Sequence, residues 1–388
     1  MSVSRRSFLT TLGAGGAGVL AAPLITGRGS EAAWAQASSR RADRLLAARP
    51  GMIRIDSNEN PNGPGERVYA AIRRHLNESN RYPVQSEDDL AAAIARTHAI
   101  LPENVILGCG SGELLRGAVS AFTAPDHPLV SPEPTFEAPA AWARFLGMPV
   151  RTPRVDPALR LDLDAMTAAG RGAGLVYLCN PNNPTGTVLG AAAVSAYVAR
   201  MGQLSPETTV LIDEAYHEYV DDPSYRTAIP LALANYRVVV TRTFSKVFGM
   251  AGLRIGYAVG QPATLAKLAA WLLGSNVSQL SLVAATVAVG DTPHIALEQR
   301  RNRETRAYTG AAFENAGYPA AGADANFLMV DIRRDAKDFK LECLKRKVAV
   351  GRQFLSHPNL VRVSIGTARE MKRALPAMLA VLGQSPAA

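Results

Sequence analysis

The feature that most constrains the fold is a pair of short apolar runs, each of which ends in polar residues. Residues 175–179 read LVYLC and lead into the turn NPNNPTG, and residues 210–212 read VLI and lead into Asp213. Uninterrupted apolar runs of this length are typical of strands that are buried on both faces, as in parallel sheets. Because strand and helix patterns alternate from about residue 85 to residue 280, we predict a mostly parallel sheet with helices on both faces.

The chain divides into a large and a small predicted domain. Helix patterns fall at residues 88–97, 113–122, 139–146, 191–201, 263–273 and 298–316, and late strand patterns at residues 326–332, 348–350 and 361–365. We therefore predict a large domain over residues 76–285 and a smaller α+β domain that combines residues 286–388 with residues 38–75.

One lysine lies in a segment suited to covalent chemistry. Lys246 has apolar neighbours on both sides in the run TFSKVFGM, and Arg254 follows it. An apolar site and a neighbouring cation lower the pKa of a lysine, which can then form a Schiff base with an aldehyde. The hydroxyls of Thr243 and Ser245 and the guanidinium of Arg254 would suit one phosphate dianion. The alternative interpretation is a solvated loop with an ordinary lysine.

A glycine-rich turn predicts a further contact with a phosphate. The short apolar strand at residues 105–107 is followed by GCGSG and then by the predicted helix at residues 113–122. Backbone amides of Ser111 and Gly112 at the helix start would bind an anion, because the first amides of a helix lack partners within it. Glu113 breaks the Gly-x-Gly-x-x-Gly pattern of dinucleotide sites, which favours phosphate over a nicotinamide cofactor.

Together these segments resemble the fold-type I aminotransferases, which use pyridoxal 5'-phosphate, and most closely their histidinol-phosphate aminotransferase branch. The resemblance runs from about residue 50 to the C-terminus and includes NENPNGP at residues 58–64, RYP at 81–83, ANFL at 325–328 and RVSIGT at 362–367. It implies a three-layer α/β sandwich and a homodimer. It also implies transfer of an amino group from an amino acid to a 2-oxo acid, in ping-pong half-reactions through a Schiff base on Lys246. A pyridoxal-phosphate-dependent amino-acid oxidase or decarboxylase on the same fold stays open as the alternative.

The resemblance assigns cofactor contacts to the matched positions. Asp213 would bind the pyridinium nitrogen, and Tyr216 and Asn183 would bind the phenolate oxygen. Phe136 would stack on the ring, and Tyr82 would reach the phosphate of the neighbouring subunit's cofactor. The full set of predicted cofactor-binding residues is Tyr82, Ser111, Gly112, Phe136, Asn183, Asp213, Tyr216, Thr243, Ser245, Lys246 and Arg254.

Four residues are the predicted substrate contacts. By the resemblance, Arg362 would bind the α-carboxylate in a bidentate pair, and it alternates with apolar residues in a predicted edge strand. Asn326 and Asn60 come from matched motifs, and Arg352 lies near a second anion-binding position of the relatives. Asn62 departs from the family, which often has tyrosine there beside the substrate phosphate.

The N-terminus resembles a twin-arginine export signal. Residues 4–9 read SRRSFL, residues 10–25 form a weakly apolar run, and AQA at residues 35–37 suits a cleavage site. We predict a cleaved signal peptide over residues 1–37 and export to the periplasm by the twin-arginine translocation machinery. No stable membrane anchor is expected, because the apolar run is shorter than the about 20 residues that a span needs.

Composition argues against two kinds of partner. The formal net charge is +9, yet no dense basic run is interleaved with aromatic residues, so no nucleic acid is expected. Cys109, Cys179 and Cys343 have no metal-ligand spacing, so no metal site is predicted. Residues 300–306 place arginines and a glutamate at helical spacing and are predicted to form a solvated helix face. His217 is predicted either to contact substrate or to pack locally.

Overall fold

The structure is a computed structural model that describes residues 49–383. Residues 50–383 form one compact unit. The predicted signal peptide lies outside the described residues, and the boundaries of the predicted domains stay predictions. The strands are β1 (Ile53–Ile55), β2 (Val105–Gly108), β3 (Leu129–Val130), β4 (Val150–Arg151), β5 (Leu175–Cys179), β6 (Thr209–Asp213), β7 (Val238–Thr243), β8 (Gly256–Val259), β9 (Ala320–Ala321), β10 (Phe327–Asp331), β11 (Val348–Val350) and β12 (Leu360–Ser364).

The helices surround these strands and alternate with them along most of the chain. They are α1 (Glu66–Arg74), α2 (Val84–His98), α3 (Ser111–Phe122), α4 (Ala138–Phe145), α5 (Leu163–Gly170), α6 (Ala191–Leu204), α7 (Ile229–Ala234), α8 (Pro262–Ala269), α9 (Gln279–Val289), α10 (Thr292–Asn315), α11 (Ala336–Lys345) and α12 (Ala368–Val381). The predicted helix at residues 263–273 therefore ends early, and the one predicted at residues 298–316 begins earlier, at Thr292.

A seven-stranded sheet in the order β2-β8-β7-β6-β5-β3-β4 forms the centre of the molecule. Strand β8 runs antiparallel to both of its neighbours, and the other pairs are parallel. The prediction of a mostly parallel α/β sheet is therefore confirmed. Parallel neighbours bring the carboxyl ends of β5, β6 and β7 to one edge of the sheet, which is where sheets of this kind bind ligands.

Helices cover both faces of the sheet. Along β5, Val176 and Leu178 belong to one hydrophobic cluster, which also contains residues of α2, α6 and α9. Leu175 and Tyr177 belong to a second cluster with residues of α3 and α8. Alternate residues of a strand point to opposite faces, so the continuous apolar run in the sequence reflects burial on both sides.

A second group of elements has a hydrophobic cluster of its own. Strand β1 pairs in parallel with β11, and β12, β10 and β9 form an antiparallel sheet. Ile55, Phe313, Phe339, Val363 and Met371 are all fully buried within this cluster. The early strand β1 thus packs with elements from the last third of the chain. Because of this packing, the loop after β1 lies at the edge of the central sheet.

The prediction of a solvated helix face at residues 300–306 is wrong for Arg306. This side chain is 7% exposed, and it donates hydrogen bonds to the Ala325 carbonyl (2.7 Å) and to Asp221 (3.0 Å). The loop before β10 covers helix α10 at this point. Because the Ala325 carbonyl of that loop is buried there, it needs a hydrogen-bond donor, and Arg306 provides one.

Among the described residues, no single helix is long and apolar enough to cross a membrane. Helices α9 and α10 have the length and composition of a membrane span only when they are taken together, and an 82° bend separates them.

Candidate active site

The ends of three neighbouring strands bring the predicted reactive groups together. Asp213 is the last residue of β6, Asn183 lies in the turn after β5, and Lys246 lies in the loop after β7. These strands are adjacent in the sheet, so residues that are far apart in sequence meet at its carboxyl edge.

The Asp213 carboxylate is buried and accepts two hydrogen bonds from side chains. Tyr177 donates to Oδ2 at 2.8 Å and Thr241 donates to Oδ1 at 3.3 Å. Burial raises the pKa of Asp213 to about 6 in spite of these bonds. A cation held against this carboxyl would favour its charged form, as a protonated ring nitrogen does.

The Lys246 amine is partly buried and faces both an aromatic ring and a carbonyl. Its Nζ donates to the Asn58 carbonyl at 3.0 Å and lies 5.4 Å from the centre of the Tyr216 ring. Burial lowers the pKa of Lys246 to about 8, and the charge of Arg362 contributes in the same direction. The neutral fraction of this amine near neutral pH is therefore larger than that of an ordinary lysine, and the neutral form is the one that attacks a carbonyl carbon.

Five residues form an anion cradle: Gly110, Ser111, Thr243, Ser245 and Arg254. Helix α3 begins at Ser111, and Gly110 before it has φ +75°, where a Cβ would clash with Arg254 Nη2. Thr243 donates to Ser245 Oγ at 2.9 Å, and Arg254 reaches the same oxygen at 3.4 Å. A helix start, two hydroxyls and a guanidinium are the donors that a phosphate monoester dianion prefers.

Arg362 extends over the same region from the edge strand β12. Its Nη1 donates to Asn183 Oδ1 at 2.8 Å and its Nη2 to the Asp56 carbonyl at 2.6 Å. The Nε is buried and has no hydrogen-bond partner within residues 49–383. Val361 and Val363 on either side are fully buried, so the predicted alternation and edge position are confirmed.

Two further predicted residues, Asn60 and Asn326, support this centre. Asn60 donates to the Val247 carbonyl at 2.9 Å, and Asn326 donates to the Asn58 carbonyl at 3.0 Å. These bonds hold the chain segments that carry the reactive groups.

Two predicted residues are exposed and a third, Arg352, is partly buried. Phe136 is 37% exposed and Tyr82 is 85% exposed. Tyr82 lines a cavity of about 540 Å³ among residues of α1, α2 and α9. Arg352 forms an ion pair with Glu137 at 2.7 Å and lies over the Phe354 ring.

His217 makes local contacts, and its predicted contact with substrate stays a prediction. Its Nδ1 is 3.0 Å from the Tyr225 hydroxyl and 3.8 Å from Glu214, and burial lowers its pKa to about 2. The ring is therefore neutral at physiological pH.

Two residues of the site have no role in the sequence-based predictions. Tyr177 reads as one more apolar residue of β5, although a hydroxyl in a fully buried strand signals a partner. Asn58 stands out in the sequence only as part of a motif, yet it contacts both Lys246 and Tyr216.

Comparison with known proteins identifies the family. A family model described as aminotransferase class I and II matches residues 50–378. The chain belongs to this aminotransferase family. A histidinol-phosphate aminotransferase of Symbiobacterium thermophilum is 35% identical to this aminotransferase over 335 residues, which cover 86% of this chain and 91% of that protein. One from Moorella thermoacetica is 33% identical and covers 85% and 86%.

A solved structure adds the cofactor. Histidinol-phosphate aminotransferase from Sinorhizobium meliloti, in complex with pyridoxal-5'-phosphate, matches with a TM-score of 0.81 and 26% identity, covering 88% of this chain and 94% of that one. The chain is thus a pyridoxal-phosphate-dependent aminotransferase of fold type I. The anion cradle and the buried Asp213 carboxyl fit the two charged ends of that cofactor.

Proposed function

We propose that this aminotransferase moves the amino group of an amino acid to a 2-oxo acid, with Lys246 as the catalytic residue. The observation that carries the proposal is that the Lys246 amine and the Arg362 guanidinium lie near each other at the carboxyl edge of the central sheet. The guanidinium charge helps to lower the pKa of the amine, and Arg362 donates to Asn183 in the turn after β5. In the proposed arrangement the cradle holds the cofactor phosphate, Asp213 pairs with the ring nitrogen, and Asn183 and Tyr216 bind the phenolate oxygen.

Arg362 orients the substrate in this proposal. Each terminal nitrogen of the guanidinium donates one N–H inside the protein and retains a second, and Nε adds another. A planar fork of this kind suits the α-carboxylate of an amino acid. When bound, the cofactor supplies an aldehyde and an electron-withdrawing ring. The Lys246 amine removes the proton from the substrate α-carbon and returns it during the transfer.

We further propose an ordinary amino acid as donor, although the relatives named above are histidinol-phosphate aminotransferases. The Asn62 amide, where a tyrosine is common in the family, donates to buried Glu298 at 2.7 Å. The positive charge of Arg352 is balanced by Glu137. Both features support a distal pocket that is less suited to a phosphate group.

The proposed setting is a periplasmic homodimer exported by the twin-arginine pathway. The high exposure of Tyr82 supports a contact across a subunit interface. The motif at residues 4–9 supports export. Replacement of Arg5 and Arg6 by lysine should retain the full-length protein in the cytoplasmic fraction. In the unaltered strain, the N-terminal residue of the protein recovered from the periplasmic fraction would locate the cleavage site. Sedimentation of the mature protein tests the dimer.

The experiment that tests the reaction follows the absorbance of the bound cofactor. The protein loaded with pyridoxal 5'-phosphate is titrated anaerobically with single amino acids and then mixed with a 2-oxo acid or with oxygen. A donor that bleaches the band, with recovery on adding a 2-oxo acid, supports transamination and names a substrate. Recovery that requires oxygen instead would establish the oxidase alternative, and release of carbon dioxide would establish decarboxylation.

A further inference from the structure

Asn58 has an unusual backbone conformation for a buried residue that is not glycine. Its φ is +54°, in the left-handed region, and its side chain is 1% exposed. Asparagine tolerates this region better than most residues, but the conformation persists only where the surroundings impose it. Such outliers cluster at functional sites, so its contacts are informative.

Ser364 on β12 fixes the orientation of the Asn58 side chain. The backbone N–H of Asn58 donates to Ser364 Oγ at 2.9 Å, and that hydroxyl donates to Asn58 Oδ1 at 2.7 Å. Because Oδ1 faces Ser364, the amide nitrogen faces the other way. There Nδ2 donates to the Tyr216 hydroxyl at 3.0 Å.

The contact with Tyr216 decides where the tyrosine proton points. The phenol oxygen accepts from Asn58, so its own O–H is directed elsewhere, and the edge contact with Phe327 at 5.2 Å restricts the ring. A hydroxyl that already accepts a hydrogen bond is also a stronger donor.

The backbone carbonyl of Asn58 serves a second group. It accepts from Lys246 Nζ at 3.0 Å and from Asn326 Nδ2 at 3.0 Å. The left-handed conformation of Asn58 is what directs this carbonyl to the amine, and Asn326 fixes it there.

We propose that Asn58 is a positioning residue that receives the Lys246 amine on its carbonyl whenever that amine is not bound to the cofactor, and that directs the Tyr216 proton with its amide. The proposal rests on the proposed function. The competing explanation is a purely structural joint between the loop after β1 and β12.

The amide half of the proposal, in which the Asn58 side chain directs the Tyr216 proton, is tested by a double-mutant cycle with Asn58→Gly and Tyr216→Phe. Glycine keeps the positive φ and the carbonyl and removes only the amide. In the loaded protein, the pH midpoint of the cofactor absorbance change should rise by about half a pH unit in Asn58→Gly, because Tyr216 becomes a weaker donor. Asn58→Gly should cause no further shift in the Tyr216→Phe background. An equal shift in both backgrounds, or none in either, overturns this half.

The carbonyl half is tested in cofactor-free protein by the rate of reductive methylation of Lys246, read by peptide mass spectrometry. Asn58→Gly retains the carbonyl and should react at the unaltered rate. Asn58→Ala disfavours the left-handed backbone and should react about three-fold faster or more, because the amine loses its acceptor. Equal rates for the two variants overturn this half.

Val363→Ala is the matched control for a structural joint. It weakens the packing of β12 against the cluster that contains Ile55 of β1 and leaves the side chains that hydrogen-bond to Asn58. A shift and a rate change as large as those of the Asn58 variants would support the structural explanation instead. Failure of the proposed function would be recognised separately, because the cofactor band of the unaltered protein would then not recover with any 2-oxo acid.

Discussion

Replacing Tyr177 with phenylalanine tests whether the hydrogen bond to Asp213 controls the charge at the base of the site. The bond is short, at 2.8 Å, and joins two fully buried groups. A buried hydrogen bond to a charged group contributes about 1.5–3 kcal/mol, whereas one to a neutral group contributes about 1 kcal/mol. The difference corresponds to a further rise of about one unit in the Asp213 pKa.

The pH dependence follows from the direction of that shift. The folded pKa of Asp213 is about 6, above the ordinary value of 3.8, so this group favours folding at low pH and loses that contribution as pH rises through about 6. Tyr177→Phe should therefore destabilise the cofactor-free protein by about 1 kcal/mol at pH 4.5 and by about 2–3 kcal/mol at pH 8. Urea unfolding at both pH values measures this, with Tyr197→Phe as a control for loss of a buried hydroxyl. Equal destabilisation at the two pH values would refute the reasoning.

Three further variants test other parts of the site. Lys246→Ala should abolish transamination and leave the far-ultraviolet circular dichroism unchanged, so retained turnover would remove the lysine from the mechanism. Arg254→Leu should weaken cofactor binding by about ten-fold or more, measured by equilibrium dialysis, because the cradle loses a charge-assisted donor; unchanged affinity would place the phosphate elsewhere. Glu137→Gln removes the carboxylate from the ion pair with Arg352 and should lower KM for donors with a distal carboxylate relative to apolar donors, whereas a uniform change in kcat would contradict a role in specificity.

The strand ends could be predicted from the sequence because local pattern determines them. A buried parallel strand reads as an apolar run, and the polar residue that ends it must lie at the carboxyl edge, as Asp213 does. The neighbourhood of Lys246 was predictable for the same reason.

The residues that were missed depend on contacts between distant segments. Asn58 and Ser364 are 306 positions apart, and no local pattern pairs them. Arg306 was misjudged because helical spacing of charges describes one helix and says nothing about the Ala325 carbonyl that covers it.

The electrostatic arrangement explains how one lysine can act both as nucleophile and as base. After burial itself, Arg362 is the largest cause that lowers the pKa of Lys246, and Arg254 adds to it. Before a ligand binds, these cations raise the neutral fraction of the amine above that of an ordinary lysine, which suits attack on an aldehyde. A phosphate on Arg254 and a carboxylate on Arg362 would neutralise both of them. The pKa of a released Lys246 would then rise, so the amine becomes a stronger base once the substrate whose proton it must remove is bound.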